Sequence, residues 1–527
     1  MSTSAPRHGH AIPRAGAAFL TRRSLFTLSA AGIAAGGSSA MAAPQGQLTY
    51  GVHVSLAPSW LDPGEAAGII TPYMLLYAVH DALVKAMPDS KHAPSLAESY
   101  TVSEDGLTHE FLLRRARFHN GDAVASDDVK FSFERYHGAS QSLLKQRVTA
   151  IETPEPQRIR FRLKEPWPDF LTFYAGVSGA AWIVPRKYIQ QVGDDGFKKM
   201  PIGAGPYRFV SFEPGVELVL EAFDGYWRQA PPVKRLVMKV LPDEATRLAA
   251  LKRGEIDIAY SIRGELAGEL EQTPGLSIKP VVVQGVFCVY FVDQWDPGSP
   301  WHDVRVRRAA SLAIDCKTIN EALTRGYSHV TGNPFVPDMF EFYWQPPKPV
   351  YDPGQAKQLL AAAGHPNGFD AGFYNCDSSY ANIAEAVVNY WAEVGIRSKL
   401  RPMERAAYIK AFAEKQYKNV VQAGPAAFGN AATRLETHAV TGGTFTYGSY
   451  PDLDDLFHKQ ASELDYKRRE ALLHEMQQIV YDRAIYAPIW QLAFINGIGP
   501  RVAESSLGRI PGFPYTGPFD ELALKPT

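Results

Sequence analysis

The sequence predicts an α/β protein made of more than one compact region, and three observations carry the prediction. A hairpin, a helix and a strand follow one another between Pro201 and Tyr260. A long run over 276–292 is strongly β, with Val281, Val282, Val283, Phe287, Val289 and Phe291. Beyond it, helical patterns over 352–364, 382–394 and 466–483 alternate with strand patterns over 397–400 and 487–496. At 527 residues the chain is long enough for two to four domains with substantial cores.

Taken in order, the chain opens on an address. Thr21-Arg22-Arg23-Ser24-Leu25-Phe26 precedes a small-residue and apolar stretch over 27–37, and Ala40-Met41-Ala42 has the small-x-small form of a cleavage site. Charged, apolar and cleavage regions in that order predict an export signal over 1–42. Its paired arginines resemble the twin-arginine type, which carries folded proteins across the bacterial inner membrane. No Cys stands near the cleavage point, so a soluble periplasmic protein without a lipid anchor is expected. After the signal, no uncharged apolar run reaches the roughly 18 residues that a membrane span requires.

The first strand is expected over 48–56. Residues 72–84 read as a helix with Leu75, Leu76 and Val79 on one face. Asp105-Gly106 is a turn pair that leads into a strand over 110–113. Ser126 is expected to cap a helix on which Val129, Phe133 and Tyr136 share a side. His119 and Asp128 sit beside it in turn and cap contexts, where such residues serve architecture. A strand over 159–163 is broken by Pro166-Trp167-Pro168.

In the central unit, Gly203, Gly205 and Pro206 interrupt what precedes, and 207–212 reads as a strand. Pro214-Gly215 suits the centre of a type II turn, since Pro presets φ and Gly accepts positive φ. Leu218 and Leu220 alternate with Glu217, Val219 and Glu221 on the return strand. Asp243 then caps a helix that Gly254 ends, and Ile256-Asp257-Ile258 begins a short strand. Further on, Arg305 and Arg308 are neighbours on a helix face and read as a structural ion-pairing surface. Asp352 caps a helix with Pro353 in its first turn, Ala356, Leu359, Leu360 and Ala363 as its stripe, and Gly364 at its end.

Several of these residues stand in the order of known motifs. Gly203, Gly205-Pro206-Tyr207, Asp224, Tyr226-Trp227 and Gly254-Glu255-Ile256-Asp257 resemble the "GTGPY", "NPDYW" and "GEIDI" segments of the extracellular solute-binding proteins of the peptide, opine and nickel class. Those proteins are the capture components of ABC importers. Leu61-Asp62-Pro63, the segment from Phe118 to Ser132, and Arg305 through Asp315 are similar to further segments of that family. The resemblance runs from about Leu61 to about Val502.

It implies a two-lobed periplasmic binding protein fold of type II, in the large variant with mixed sheets flanked by helices. The first lobe is expected over 43–278 with an extra subdomain at about 70–200, the second over 279–491, and a return to the first over 492–527. It also implies hinge closure on a peptide or peptide-like solute, a membrane permease and ATPase complex as partner, and a monomer.

The ligand site is expected in the cleft between the lobes. Near the ends of the first and crossing strands, His53, Trp60, Phe287, Tyr290 and Trp490 are candidates. The stretch 424–430 adds Phe428 and Asn430, Arg434 follows it, and Tyr447 lies in 444–450. Large aromatics serve cores more often than contacts. Arg434, in a Gly, Ala and Asn context, suits a ligand carboxylate by bidentate pairing. Peptide-binding members of the family commonly carry an acidic residue in an "aDY.DP"-like segment. The comparable Val421-Gln422-Ala423-Gly424-Pro425-Ala426 has none, so an opine, a modified amino acid or another small polar solute stands level with an oligopeptide.

Other classes fare less well. A net charge of −1 offers no basic footprint for nucleic acid. Gly176-Val177-Ser178-Gly179-Ala180 misses the last Gly of a nucleophile elbow, and His474-Glu475 lacks the second His of a metalloprotease helix. The Gly203-Ala204-Gly205 run leads into a strand, where a dinucleotide loop would open a helix. No catalytic residue, metal site or cofactor is expected. Cys288, Cys316 and Cys376 read as buried free thiols. A sensory binding protein and a secreted hydrolase are the alternatives from other classes.

Overall fold

Two antiparallel strands, Ser277–Phe291 and Tyr486–Ile498, form the axis of the molecule and pair from Ser277 opposite Ile498 to Tyr290 opposite Tyr486. The structure is a computed structural model that describes residues 44–66, 70–138, 140–175, 180–424 and 429–526. The expected export signal over 1–42 lies outside these residues.

On one side of the axis, Ile258–Ala259 joins Tyr486–Ile498 to Gln45–Val52, which pairs in parallel with Val233–Val240. The Glu217–Ala222 and Tyr207–Glu213 hairpin completes that edge. On the other side follow Val420–Ala423, Phe369–Asp377 and Ile396–Met403. With His329–Val330 they make one mixed sheet of 11 strands among the described residues.

Each half of this sheet has its own core. Leu48, Tyr50, Leu220, Leu236 and Met238 pack with Tyr73, Trp182, Phe513 and Leu522 in the first lobe. The chain's last residues therefore return to the lobe in which it began. In the second lobe the crossing strand supplies both faces by simple alternation. Phe287, Val289 and Phe291 enter a core with Trp301 and Trp391, while Cys288, Tyr290 and Val292 enter another with Leu435, Leu473 and Met476. A period of two puts successive side chains on opposite faces, and burial on both explains the continuous apolar run over 286–291. A separate antiparallel sheet, formed by Ala97–Val102, Thr108–Leu113, Arg158–Leu163 and Val148–Glu155, packs Phe111 and Phe161 against Phe133, Phe170 and Tyr174.

Most local expectations match these elements. Gly215 turns the hairpin with φ of 78°, Asp243 accepts from the Thr246 amide at 2.8 Å, and Asp352 accepts from that of Gln355 at 2.8 Å. Two do not. The helix expected over 72–84 ends at Val79, because residues 81–82 pair with Trp182–Ile183 and 84–87 with Ser90–Pro94. Strand pairing, distant at 81–82 and to the next strand at 84–87, overrides a helical pattern too short to hold itself. Ser126 is the first helical residue, not the cap. Its hydroxyl donates to the Glu155 carbonyl at 2.7 Å, and Asp128 reaches back to the Ala125 amide at 3.0 Å. The three cysteines are buried and unpaired.

His119 shows why the glycine hairpin and the Phe118 segment travel together. Its Nδ1 accepts from the Gly203 amide at 3.2 Å, and its Nε2–H donates to the Gly205 carbonyl at 3.0 Å. Accepting at Nδ1 requires the neutral ring, and burial pushes its pKa down to about 3. Burial also takes His80 and His109 down to about 4. In the unfolded chain each binds a proton from about pH 6.5, so these sites cost nothing above that pH. Stability should then fall as pH drops from about 6.5 towards 4, by about 1 kcal/mol per pH unit for each buried histidine. Thermal midpoints followed by circular dichroism from pH 7.5 to 4.5 check this; a midpoint flat over that range contradicts it.

Candidate functional site

Two cavities lie against the crossing strands, each walled by both lobes. One, of about 440 Å³, sits between Glu244, Arg263 and Leu266 of the first lobe and Tyr380 and Ile383 of the second, with Trp490 and Phe494 of the crossing strand as its floor. Arg263 is tied loosely to Glu244 at 3.8 Å. The other, of about 80 Å³, is walled by Tyr77, Met87, Lys91 and Trp182 on one side and by Met339, Phe340, Glu341 and Asn430 on the other. Gln284 of the crossing strand and Phe513 of the returning chain close it.

Beside the smaller cavity the lobes are clasped by charge. Asp169 stands at the start of a short helix in the first lobe. Its Oδ1 and Oδ2 accept from Nη1 and Nη2 of Arg469 at 2.9 and 2.6 Å. Its Oδ1 also accepts from Asn430 Nδ2 at 2.6 Å. Arg469 is positioned from behind, since its Nε donates to Gln460 Oε1 at 3.1 Å. Asn430 is held too, because its Oδ1 caps the helix Ala431–Ala439 through the Thr433 amide at 3.2 Å. All three residues are buried, so a bidentate pair of this kind is largely desolvated.

The residues singled out from sequence fall into two groups. Trp490 lines the larger cavity, and its buried Nε1 has no hydrogen-bond partner among the described residues. Phe287 packs beside it edge-on to Tyr380, at 4.9 Å between centroids. The His53 ring lies tilted against Tyr515 at 4.5 Å between centroids, and Tyr515 in turn meets Phe494 at 5.6 Å. Burial and the charges of Arg247 and Arg263 push the His53 pKa down to about 4. Asn430 belongs to the smaller cavity and to the Asp169 clasp. Phe428 lies outside the described residues.

The others sit in cores. Trp60 is half-buried against the first-lobe core. Tyr290 stacks on Tyr486 at 4.4 Å and accepts from the Tyr447 amide at 3.0 Å. The Tyr447 hydroxyl accepts from the Tyr417 amide at 3.1 Å. Arg434 lines neither cavity. Its Nε donates to the Phe335 carbonyl at 3.0 Å, its Nη2 meets His438 Nε2 at 3.3 Å, and burial takes its pKa down to about 10.

Sequence reasoning passed over Asp169, Arg469, Lys91 and Glu341. One signal was present. Arg469 shares a helix face with Leu473, Met476 and Val480, all buried, so a cation occupies a place in the apolar stripe of Tyr466–Asp482. No group of three or more metal-ligating side chains occurs among the described residues. Nor is any helix among them long and apolar enough to cross a membrane.

Comparison with known proteins agrees with this architecture. Residues 91–446 match the family described as bacterial extracellular solute-binding proteins, family 5, middle region. The heme-binding protein A of Haemophilus influenzae is 25% identical over 449 residues, covering 78% of this chain and 80% of the relative. The dipeptide-binding protein of Escherichia coli is 25% identical over 436 residues, covering 74% and 79%. The crystal structure of NikA from Brucella suis in complex with Fe(III)-EDTA superposes with a TM-score of 0.78 at 22% identity, over 91% of this chain and 100% of that one. That last likeness speaks to the fold, which is the two-lobed type II arrangement.

Proposed function

Since this chain belongs to the bacterial extracellular solute-binding proteins of family 5, we propose that it captures a peptide or peptide-like solute between its lobes and hands it to the permease and ATPase of an ABC importer. The observation that supports this best is the pair of cavities walled by both lobes around the crossing strands. A ligand touching both walls stabilises the closed arrangement by its differential contacts, and an importer can then distinguish loaded from empty protein. The dipeptide-binding relative favours a peptide-like solute. Asn430, Trp490, Phe287 and His53 are the contacts we assign from the sequence candidates, with Tyr380 and Gln284 added by the geometry.

On this reading the protein works as a monomer in the periplasm after removal of 1–42, and it releases its solute chemically unchanged. The Arg325 guanidinium of the second lobe and Glu271 of the first, 2.7 Å apart, are a further ion pair between the lobes. Native mass spectrometry of protein purified from the periplasm is expected to show a non-covalent small solute of unaltered mass. Small-angle scattering should show the radius of gyration decreasing as that solute is added back. Recovery of a chemically converted solute, or no solute and no compaction, would reject the proposal.

A further inference from the structure

Each lobe holds a buried arginine without a carboxylate partner, and the two are bonded atom for atom in the same way. Arg247 lies in the helix Glu244–Lys252 and Arg307 in the helix Val304–Leu312, each following the capping Asp of its helix, Asp243 or Asp303, at the same spacing. Both are 2% exposed, and neither has an acidic group within 4.0 Å among the described residues. Nη1 of Arg247 donates to the Leu241 and Pro242 carbonyls at 2.7 and 2.8 Å, six and five residues earlier. Nη1 of Arg307 donates to the Trp301 and His302 carbonyls at 2.7 and 2.8 Å, again six and five residues earlier.

The rest of each guanidinium reaches a more distant segment. Nε and Nη2 of Arg247 donate to the Tyr260 and Ser261 carbonyls at 2.8 and 2.6 Å. Those of Arg307 donate to the Ala484 and Arg483 carbonyls at 3.0 and 2.7 Å. In both lobes the held segment contains a non-glycine residue in the left-handed region, Ser261 with φ of 55° or Ala484 with φ of 44°. That conformation is costly for a residue with a Cβ, so it persists where the surroundings fix it. A planar fork of N–H donors can hold two pairs of carbonyls at once, which a lysine ammonium cannot.

Both held segments are joined to one element, the crossing strand Tyr486–Ile498. Ala484 stands just before its second-lobe end. At its first-lobe end, the Ile262 amide donates to the Ile495 carbonyl at 2.8 Å and the Ser261 amide to Asn496 Oδ1 at 3.2 Å. Between these anchored ends the ladder with Ser277–Phe291 breaks. Val282 pairs with Ala493 and Val286 with Gln491, so residues 283–285 stand opposite Leu492 alone. A smaller shift at Ile489 lies where His329–Val330 covers the strand's other edge. Backbone that lacks ladder bonds bends more readily than the paired stretches beside it.

Resting on the capture reading above for the motion of the lobes, we propose that Arg247 and Arg307 are matched positioning residues. Each fixes one end of Tyr486–Ile498 to its own lobe, so that opening and closing bend the crossing pair at 283–285 and Leu492. A strand loose at either end would let a lobe turn about several points, and walls that must meet one solute would lose their alignment.

The test uses the mature protein without solute. Hydrogen exchange in Arg247→Lys should quicken by about tenfold or more at 260–263 and 495–497 and stay unchanged at 483–489. Arg307→Lys should show the reverse. Nitroxides at Glu104→Cys and Lys467→Cys, exposed positions near the contact of Gly106 with Leu464, report lobe motion through the width of their distance distribution. The native thiols are buried. That width should grow in both lysine variants, which a purely local role would not produce. Ser261→Gly takes the left-handed conformation freely, so it should return part of the lost protection to Arg247→Lys and none to Arg307→Lys. Ala484→Gly should do the opposite, and these backgrounds also serve if a lysine variant alone does not fold. Exchange that rises evenly over a whole lobe, an unchanged width, rescue by either glycine alike, or failure of both lysine variants to fold in any background would each overturn the proposal. Failure of capture is read separately, as no bound solute and no compaction in the wild type.

Discussion

Asp169→Ala is expected to weaken solute binding by about 30-fold or more and to leave the protein in its open form at solute concentrations that close the wild type. The size follows from truncating one partner of a buried, hydrogen-bonded charge pair across an interface, which costs about 2–5 kcal/mol. Without the carboxylate, Arg469 would be buried on closure with Gln460 Oε1 as its remaining hydrogen-bond acceptor among the described residues and the Phe342 face beside it, and Asn430 Nδ2 would lose its acceptor. When the lobes part, the same groups return to water. The loss therefore falls on the closed form and largely spares the folding of each lobe. Titration calorimetry and small-angle scattering measure the two effects, and thermal unfolding without solute provides the control. Arg469→Lys should recover part of the affinity, since an ammonium keeps the charge but not the fork. An affinity within twofold of wild type for Asp169→Ala would show that the clasp does not contribute to closure.

The second large effect is expected in the glycine hairpin. A Cβ on Gly203 would stand 2.0 Å from the Val79 carbonyl oxygen, and one on Gly205 would stand 2.6 Å from the Val79 carbonyl carbon. Both obstacles are backbone, so no rotamer can yield. The hairpin also donates from the Gly205 amide to that Val79 oxygen at 3.0 Å, which any displacement breaks. Gly203→Ala or Gly205→Ala should each destabilise by about 3 kcal/mol or more, by overpacking together with a lost buried hydrogen bond. Gly215→Ala is the comparison. That residue has φ of +78°, but a methyl group added to it would meet nothing within 4 Å, so only the left-handed conformation is penalised, at about 1–2 kcal/mol. Chemical denaturation of the three variants should separate them; equal losses would mean that backbone conformation, and not close approach, is what the motif protects.

The contrast between these glycines shows what was legible beforehand. Pro214-Gly215 announces its turn because the conformational demand is local to two residues. Gly203 and Gly205 announce only an interruption, since the segment they lie against, at Val79 and His80, is over 120 residues earlier in the chain. Similarly, the apolar run over 276–292 revealed a long strand between two compact regions. Nothing within the run could tell that Tyr290 would serve a core while Phe287, three residues before it, would stand beside a cavity with Tyr380.

Most turns, caps and periodic faces were determined by the sequence alone, the Ser126 cap and the helix end after Val79 excepted, because each depends on neighbours within one or two turns of chain. Motif order was enough for the family and for two lobes joined by crossing strands. Tertiary structure alone decided where charge is paired and where it is left open. Asp169 meets Asn430 and Arg469 across 261 and 300 residues of chain, while Arg434, placed in an inviting local context, turns inward to a carbonyl. The reason is physical. A side chain's type limits what it can bind, but its burial and its partners are set by which distant segments the packed lobes bring against it.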